Sequence, residues 1–244
     1  MQSLSISYFI IYKNIKEYWR LYVMYFCPLH HEWFEDFNND NVNYVYNLRA
    51  IEENQTIIDK WNTVSAPPAP ELKSITVNPI TTALLILDIE NSICNTPHCI
   101  ATIPNIYNLL TKARQYRMLV IYSLIPTANP SDIAKQISPL QSDPIVKSSV
   151  DKFYDTNLQE ILGDNGIKNV IITGYAANGA VLHTATSAAF RGYNVIIPVD
   201  CMSASNPYAE QYTAWHMVNS PGTKNRAFLT KVNLIDFQTP QLKK

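Results

Sequence analysis

Residues 169 to 201, NVIITGYAANGAVLHTATSAAFRGYNVIIPVDC, set a short apolar run, a glycine, a small-residue helical pattern and a second apolar run in direct succession. Val170 to Thr173 is apolar and β-branched, the pattern of a strand buried on both faces. Gly174 ends it. From Gly179 to Arg191 small residues recur at helical spacing (Ala180, Thr184, Ala185, Ala188, Ala189), which predicts a helix able to lie close on a sheet, with Asn178 as its N-cap. Gly192 supplies a stop, and Val195 to Val199 reads as a second buried strand ending at Asp200. This is a βαβ unit, and it commits the chain to a parallel α/β sheet. The loop Gly174 to Gly179 then lies at the carboxyl edge of that sheet and at a helix N-terminus, where open α/β sheets hold their ligands and free amides favour negative charge.

Further elements extend the pattern on both sides. Thr82 to Leu87 (TALLIL) is an apolar strand that terminates in Asp88, and a helix is predicted from Thr102 or Pro104 to about Tyr116. Met118 to Leu124 is the next strand. A Pro-rich segment with a short helix at Ser131 to Ile137 precedes a short strand and turn over 145–153, then a helix begins at Asn157. A helix from about Pro207 to Val218 and a strand from Ala227 to Val232 complete the alternation, which predicts a doubly wound, mainly parallel sheet.

The 244 residues divide into three stretches by composition: an aromatic-rich extension over 1–52, a Pro-rich arm or linker over 53–78, and an α/β domain over 79–244. Residues 1–50 hold 13 of the 27 aromatic residues. Lys13, Lys16 and Arg20 follow the apolar run Leu4 to Tyr12 instead of preceding it, which is the wrong order for a signal peptide. The stretch therefore reads as a helical appendage, a dimer-packing arm or sequence peripheral to the working domain. A formal charge of −1 without a basic stripe argues against nucleic acid, and no apolar run reaches the length of a membrane span. Cys94 and Cys99, five apart in one loop, are close enough to bridge in an oxidising compartment; the preferred reading is two reduced thiols in the cytoplasm.

Asp88 is the first candidate for chemistry. A carboxylate directly after an apolar strand is partly desolvated, which raises its pKa toward general acid or base work; the alternative is a loop cap.

The central stretch, G-Y-A-A-N-G-A-V-L-H-T-A-T-S-A-A-F-R-G-Y-N-V, resembles the signature of the isochorismatase-like hydrolases, and TALLILDIENSIC resembles their first strand with its aspartate. The resemblance covers residues 80 to 237. It implies a three-layer α/β/α architecture around a six-stranded, mainly parallel sheet, dimers or tetramers, and a small-molecule substrate with no cofactor. It assigns Asp88 as the catalytic acid/base and puts Glu90 where the family usually has glutamine. Counting six residues back from Phe153 gives Lys147 as the catalytic lysine, with Lys152 as the rival because V-D-K-F replaces the family's Y-S-A-F. The loop residues Ala176, Ala177, Asn178 and Gly179 become the substrate-binding backbone, with a cis peptide expected at Ala176–Ala177.

Ala180 occupies the place of the family's nucleophilic cysteine, and a methyl group cannot attack a carbonyl. True isochorismatases carry glycine there and cleave an enol ether by protonation, although their loop has a histidine where this chain has Asn178. Cys94 and Cys201 are the remaining thiols near the expected mouth, each more readily read as a small buried group. The Asp and two His of the metal-dependent nicotinamidases have no counterpart in Leu124 to Asn129, and His183 and His216 read as packing or capping groups, so no metal is expected. Two functions follow: a hydrolase working through Asp88 and Lys147 without a cysteine, or a catalytically silent protein that binds a small carbonyl or carboxylate compound.

Overall fold

The computed structural model describes residues 55–239. The aromatic-rich extension 1–52 and Cys27 lie outside them. The chain divides into two units, Met1–Ala66 and Pro67–Lys244. In the first, Ile57–Lys60 forms one helical turn in which the Thr56 amide and hydroxyl both donate to Asp59 Oδ2, at 2.7 and 2.9 Å.

The second unit carries the sheet. Its strands are β1 (Ile75–Val77), β2 (Thr82–Leu87), β3 (Leu119–Leu124), β4 (Ile145–Lys147), β5 (Asn169–Tyr175), β6 (Asn194–Pro198), β7 (Met202–Ser203), β8 (Ala227–Thr230) and β9 (Ile235–Phe237). Six of them form a parallel path, β4-β3-β2-β5-β6-β8, and β7 pairs with the end of β5. A separate parallel pair, β1 with β9, takes residues 75–77 out of the expected arm and into a strand. Its three-residue strands are too short to give a periodic signal.

Every residue of β2 is buried, and alternate side chains enter two different cores. Ala83, Leu85 and Leu87 pack with helices α2 (Leu158–Asp164), α3 (Leu182–Phe190) and α4 (Pro207–Asn219). Leu84 and Ile86 pack with helix α1 (Pro97–Gln115) through Ile103, Ile106 and Leu110. Each such leucine or isoleucine contributes about 1.5 to 3 kcal/mol on leaving water, which is why a continuous apolar run suits this strand.

Two helices begin elsewhere than their periodicity predicts. Helix α1 starts at Pro97 because Thr96 Oγ1 accepts the Cys99 amide at 3.2 Å and proline suits the first turn. Pro104 consequently falls inside the helix, on its exposed side. Helix α3 starts only at Leu182. Ahead of it, Ala177–Val181 forms a wide turn that Gly179 interrupts with φ −113° and ψ −107°. Asn178 is exposed there and makes no capping bond, so the predicted N-cap is not one.

Gly174 holds the centre of the sheet together. It pairs with Leu87 across the β2–β5 ladder at φ +128°, and a Cβ there would run into the Leu87 carbonyl. Only glycine lets the two strand ends that flank the candidate site approach this closely.

Candidate active site

The carboxyl ends of β2, β3 and β5 meet the turn before α3, and the polar groups of the site come from these ends and from the loop that follows β4. Asp88 follows β2 with φ 49°, a left-handed backbone that aspartate tolerates better than most residues. Its amide donates to the Ser123 carbonyl at 3.2 Å, and Ser123 Oγ donates to Asp88 Oδ1 at 2.7 Å. The other carboxylate oxygen, Oδ2, lies 2.6 Å from Lys152 Nζ. Both side chains are buried, that of Lys152 completely. Burial pushes the Asp88 carboxyl above its ordinary range, while the Lys152 charge, the lysine's hydrogen bond and that of Ser123 work in the opposite direction.

Lys152 is therefore the lysine that meets Asp88, and Lys147 is not. Lys147 is the last residue of the outer strand β4, where alternation turns its side chain to solvent. Lys152 sits in the following loop and reaches back to the sheet. Its ammonium also donates to the carbonyls of Ser148 (2.9 Å) and Ser149 (2.6 Å). The loop is tied to α3 by the Lys152 amide on Thr184 Oγ1 (3.1 Å) and by Ser187 Oγ on Asp151 Oδ2 (2.5 Å). Phe153 anchors its far end, stacked on Tyr193 and covered by the Arg191 guanidinium.

Ala180 lies in the wide turn, 3% exposed, in the core on the α3 side of the sheet. Of the backbone expected to bind substrate, Ala177 is buried, Ala176 and Gly179 are half-buried and Asn178 is exposed. The amides of Gly179 and Val181 donate to the Ala176 carbonyl at 2.9 and 3.2 Å. The cis peptide lies at Tyr175–Ala176, one residue earlier than expected, where β5 ends.

Neither nearby thiol replaces the missing nucleophile. Cys94 is bonded to Cys99, which reverses the preferred reading of two reduced thiols. Cys201 is fully buried in the other core, on the α1 side, and burial together with the neighbouring Asp200 pushes its thiol far up, away from the reactive thiolate. His183 is exposed on α3, and His216 Nδ1 lies within hydrogen-bond reach of Ser220 and Tyr212.

Sequence reasoning missed Ser123. Its signal was a polar residue next to the end of an otherwise apolar strand, LVIYSL. It also passed over how completely Glu90 is buried: the residue is 0% exposed, with Oε1 accepting the Ile125 amide at 2.8 Å. A cleft of about 770 Å³ lies elsewhere, beside Pro70, Leu72, Trp215, Val218 and Phe228, and none of Asp88, Lys152 or Ala180 lines it.

Comparison with known proteins agrees with this geometry. Residues 82–226 match the Isochorismatase domain model. Among curated proteins, the chain is 28% identical over 134 residues to the uncharacterized isochorismatase family protein YaaI of Bacillus subtilis, spanning 48% of this chain and 74% of that protein. It is 33% identical over 113 residues to the secreted isochorismatase effector Isc1 of Verticillium dahliae, across 42% of this chain and 60% of the effector. It is 32% identical over 108 residues to N-carbamoylsarcosine amidase of Arthrobacter, across 41% of each. Solved structures share the fold: an isochorismatase family protein from Burkholderia thailandensis (TM-score 0.56, 21% identity, 66% of this chain and 95% of that one) and the nicotinamidase of Staphylococcus aureus (TM-score 0.55, 22% identity, 62% and 99%). An Asp–Lys pair at the carboxyl edge of a parallel sheet, beside a small-residue turn, thus stands within a matched domain that covers more than half of the chain, and the protein belongs to the isochorismatase family of hydrolases.

Proposed function

We propose that the protein hydrolyses a small molecule without a cysteine nucleophile, with Asp88 as the acid/base and Lys152 as its charged partner. The observation that carries this reading is the buried Lys152–Asp88 contact at 2.6 Å, braced by Ser123. A buried ion pair is costly to maintain, and it is seldom worth more to stability than apolar packing. Its retention beside a turn that has alanine at position 180 favours use in chemistry.

An enol ether suits this site better than an amide. Amide cleavage without a thiolate or metal requires water to attack a poor electrophile. Enol-ether cleavage requires only a proton. In its protonated form, which burial favours, Asp88 adds its proton to the terminal vinyl carbon, giving an oxocarbenium ion; water adds to the cationic carbon and returns a proton to Asp88; the hemiketal then collapses to a carbonyl compound and an alcohol. Lys152 moderates the charge that appears on Asp88 in the first step. The turn amides not taken up by Ala176, those of Ala177, Asn178 and Ala180, are the candidate donors to a substrate carboxylate. For C–N substrates the same residues would activate water, more slowly.

The second reading, a silent binder of a small carbonyl or carboxylate compound, is favoured by Ala180 alone. A panel of amides, carbamoyl compounds and isochorismate, offered to the wild type, to Ala180→Cys and to Asp88→Asn, separates the two. Turnover by the wild type that is lost in Asp88→Asn and not improved by the cysteine supports the hydrolase. Turnover by the cysteine variant only would establish the silent binder. The Cys94–Cys99 bridge, together with a relative named as a secreted effector, favours an oxidising compartment; thiol labelling of the protein from its native source, before and after reduction, tests this.

A further inference from the structure

Among the described residues, the site contains one cation, Lys152, and two buried carboxyl groups, Asp88 and Glu90. Asp88 and Glu90 are two residues apart, and β3 and its extension anchor them in the same order: Ser123 Oγ on Asp88 Oδ1, and the Ile125 amide on Glu90 Oε1. The two carboxyls are close enough for a charge on Asp88 to act on Glu90 and raise its carboxyl. The Lys152 charge acts on Glu90 as well, but the lysine has no proton left for it, because its three N–H groups go to Asp88 and to the carbonyls of Ser148 and Ser149. Glu90 Oε2 is fully buried and has no hydrogen-bond partner among the described residues.

A fully buried carboxylate with one oxygen unpaired and no cation bonded to it is the costliest form Glu90 could take; the neutral acid avoids that cost. The groups around it agree. Asp88 repels a charge on Glu90, and Lys152 compensates only in part. The segment packed against Glu90 through the Glu90–Ile133 bridge offers no cation: Asp132 is occupied by the Asn129 amide, and Lys135 is exposed. Burial is the principal cause raising the Glu90 carboxyl, with Asp88 adding to it.

We propose that Asp88 and Glu90 hold a single negative charge between them opposite Lys152, so that Glu90 is a positioning residue that keeps one proton in the carboxyl pair at neutral pH. The use of that proton rests on the hydrolase reading above; its presence does not. Paired carboxyls of this kind lose their protons in two steps that belong to the pair, and enol-ether protonation requires that the second proton still be in place. Glu90 would thus extend the working range of Asp88 upward in pH.

Two measurements on the full chain test this. The first needs no substrate: infrared spectroscopy of the carboxylic-acid C=O stretch near neutral pH, for the wild type and Glu90→Gln, with melting curves to confirm that both are folded. The expected result is a protonated-acid band, sensitive to deuterium exchange, that is present in the wild type and absent from Glu90→Gln, where Asp88 has Lys152 to itself. Its absence from the wild type, or its persistence in Glu90→Gln, overturns the proposal. The second is the pH-rate profile with whichever enol ether is turned over. The falling limb should move down by about one pH unit or more in Glu90→Gln and return toward the wild-type position in Glu90→Asp. An unmoved limb overturns the proposal. If no substrate is turned over but the band is present and lost in Glu90→Gln, the hydrolase reading fails and the shared charge stands.

Discussion

The backbone amide of Lys152 donates to Thr184 Oγ1 at 3.1 Å, joining the loop that carries the lysine to the helix that follows Ala180. Two parts of the site separated by 32 residues are thereby joined, alongside the Ser187–Asp151 contact. Thr184→Val keeps the shape but leaves a buried amide unpaired. It should cost about 1 to 3 kcal/mol in denaturant unfolding and lower kcat more than it raises KM, because the lysine loses its fixed approach to Asp88. Unchanged stability and kinetics would show that the loop is held by other means.

The two lysines should behave in opposite ways. Lys147→Met removes an exposed charge and should leave stability within about 0.5 kcal/mol and activity at the wild-type level. Lys152→Met strands a buried carboxylate and should cost about 3 kcal/mol at neutral pH, with loss of activity. The sign of its pH dependence follows from Asp88. Without the lysine, the Asp88 carboxyl rises further, so the folded state binds a proton more readily and the deficit shrinks toward acid pH. Melting curves across the pH range check both variants.

Glu90 supplies a second pH-dependent contrast. Its folded-state pKa is raised, so the contribution of this group to stability is complete below the ordinary glutamate range and is lost as pH rises through the raised value. Glutamine cannot titrate and has the same shape. Glu90→Gln should therefore melt with the wild type at about pH 4 and above it at about pH 8.

The Cys94–Cys99 bridge closes a short loop next to Glu90, whose carbonyl accepts the amides of Ile93 and Cys94. Replacing both cysteines by alanine should cost about 2 kcal/mol, equivalent to about 4 to 8 °C in Tm. Reducing agent should shift the wild type by a similar amount and leave the double variant unchanged.

Much of this was legible in the sequence because it is encoded locally. The β-branched run before Gly174, the small residues after Gly179 and the second run to Pro198 specify a βαβ unit by their own periodicity, and the apolar strand ending at Asp88 places a carboxylate at the sheet edge without reference to anything distant. The limits of local information are also visible. Capping at Thr96 and the backbone break at Gly179 moved two helix starts, since both depend on hydrogen bonds and dihedrals that side-chain periodicity does not report.

Only the tertiary structure decided the rest, and in each case the deciding contact crosses between elements. Lys147 and Lys152 are five residues apart and chemically identical; an outer strand turns one to solvent, and a loop bound to α3 returns the other to Asp88. Ser123 reaches Asp88 across neighbouring strands, β1 finds β9 from the far end of the unit, and Glu90 is isolated by a lysine whose donors are already used. Sequence pattern determines which face of an element is buried, because burial follows the period of the chain; which polar groups meet depends on side-chain reach through space, and that is fixed only once the elements have packed.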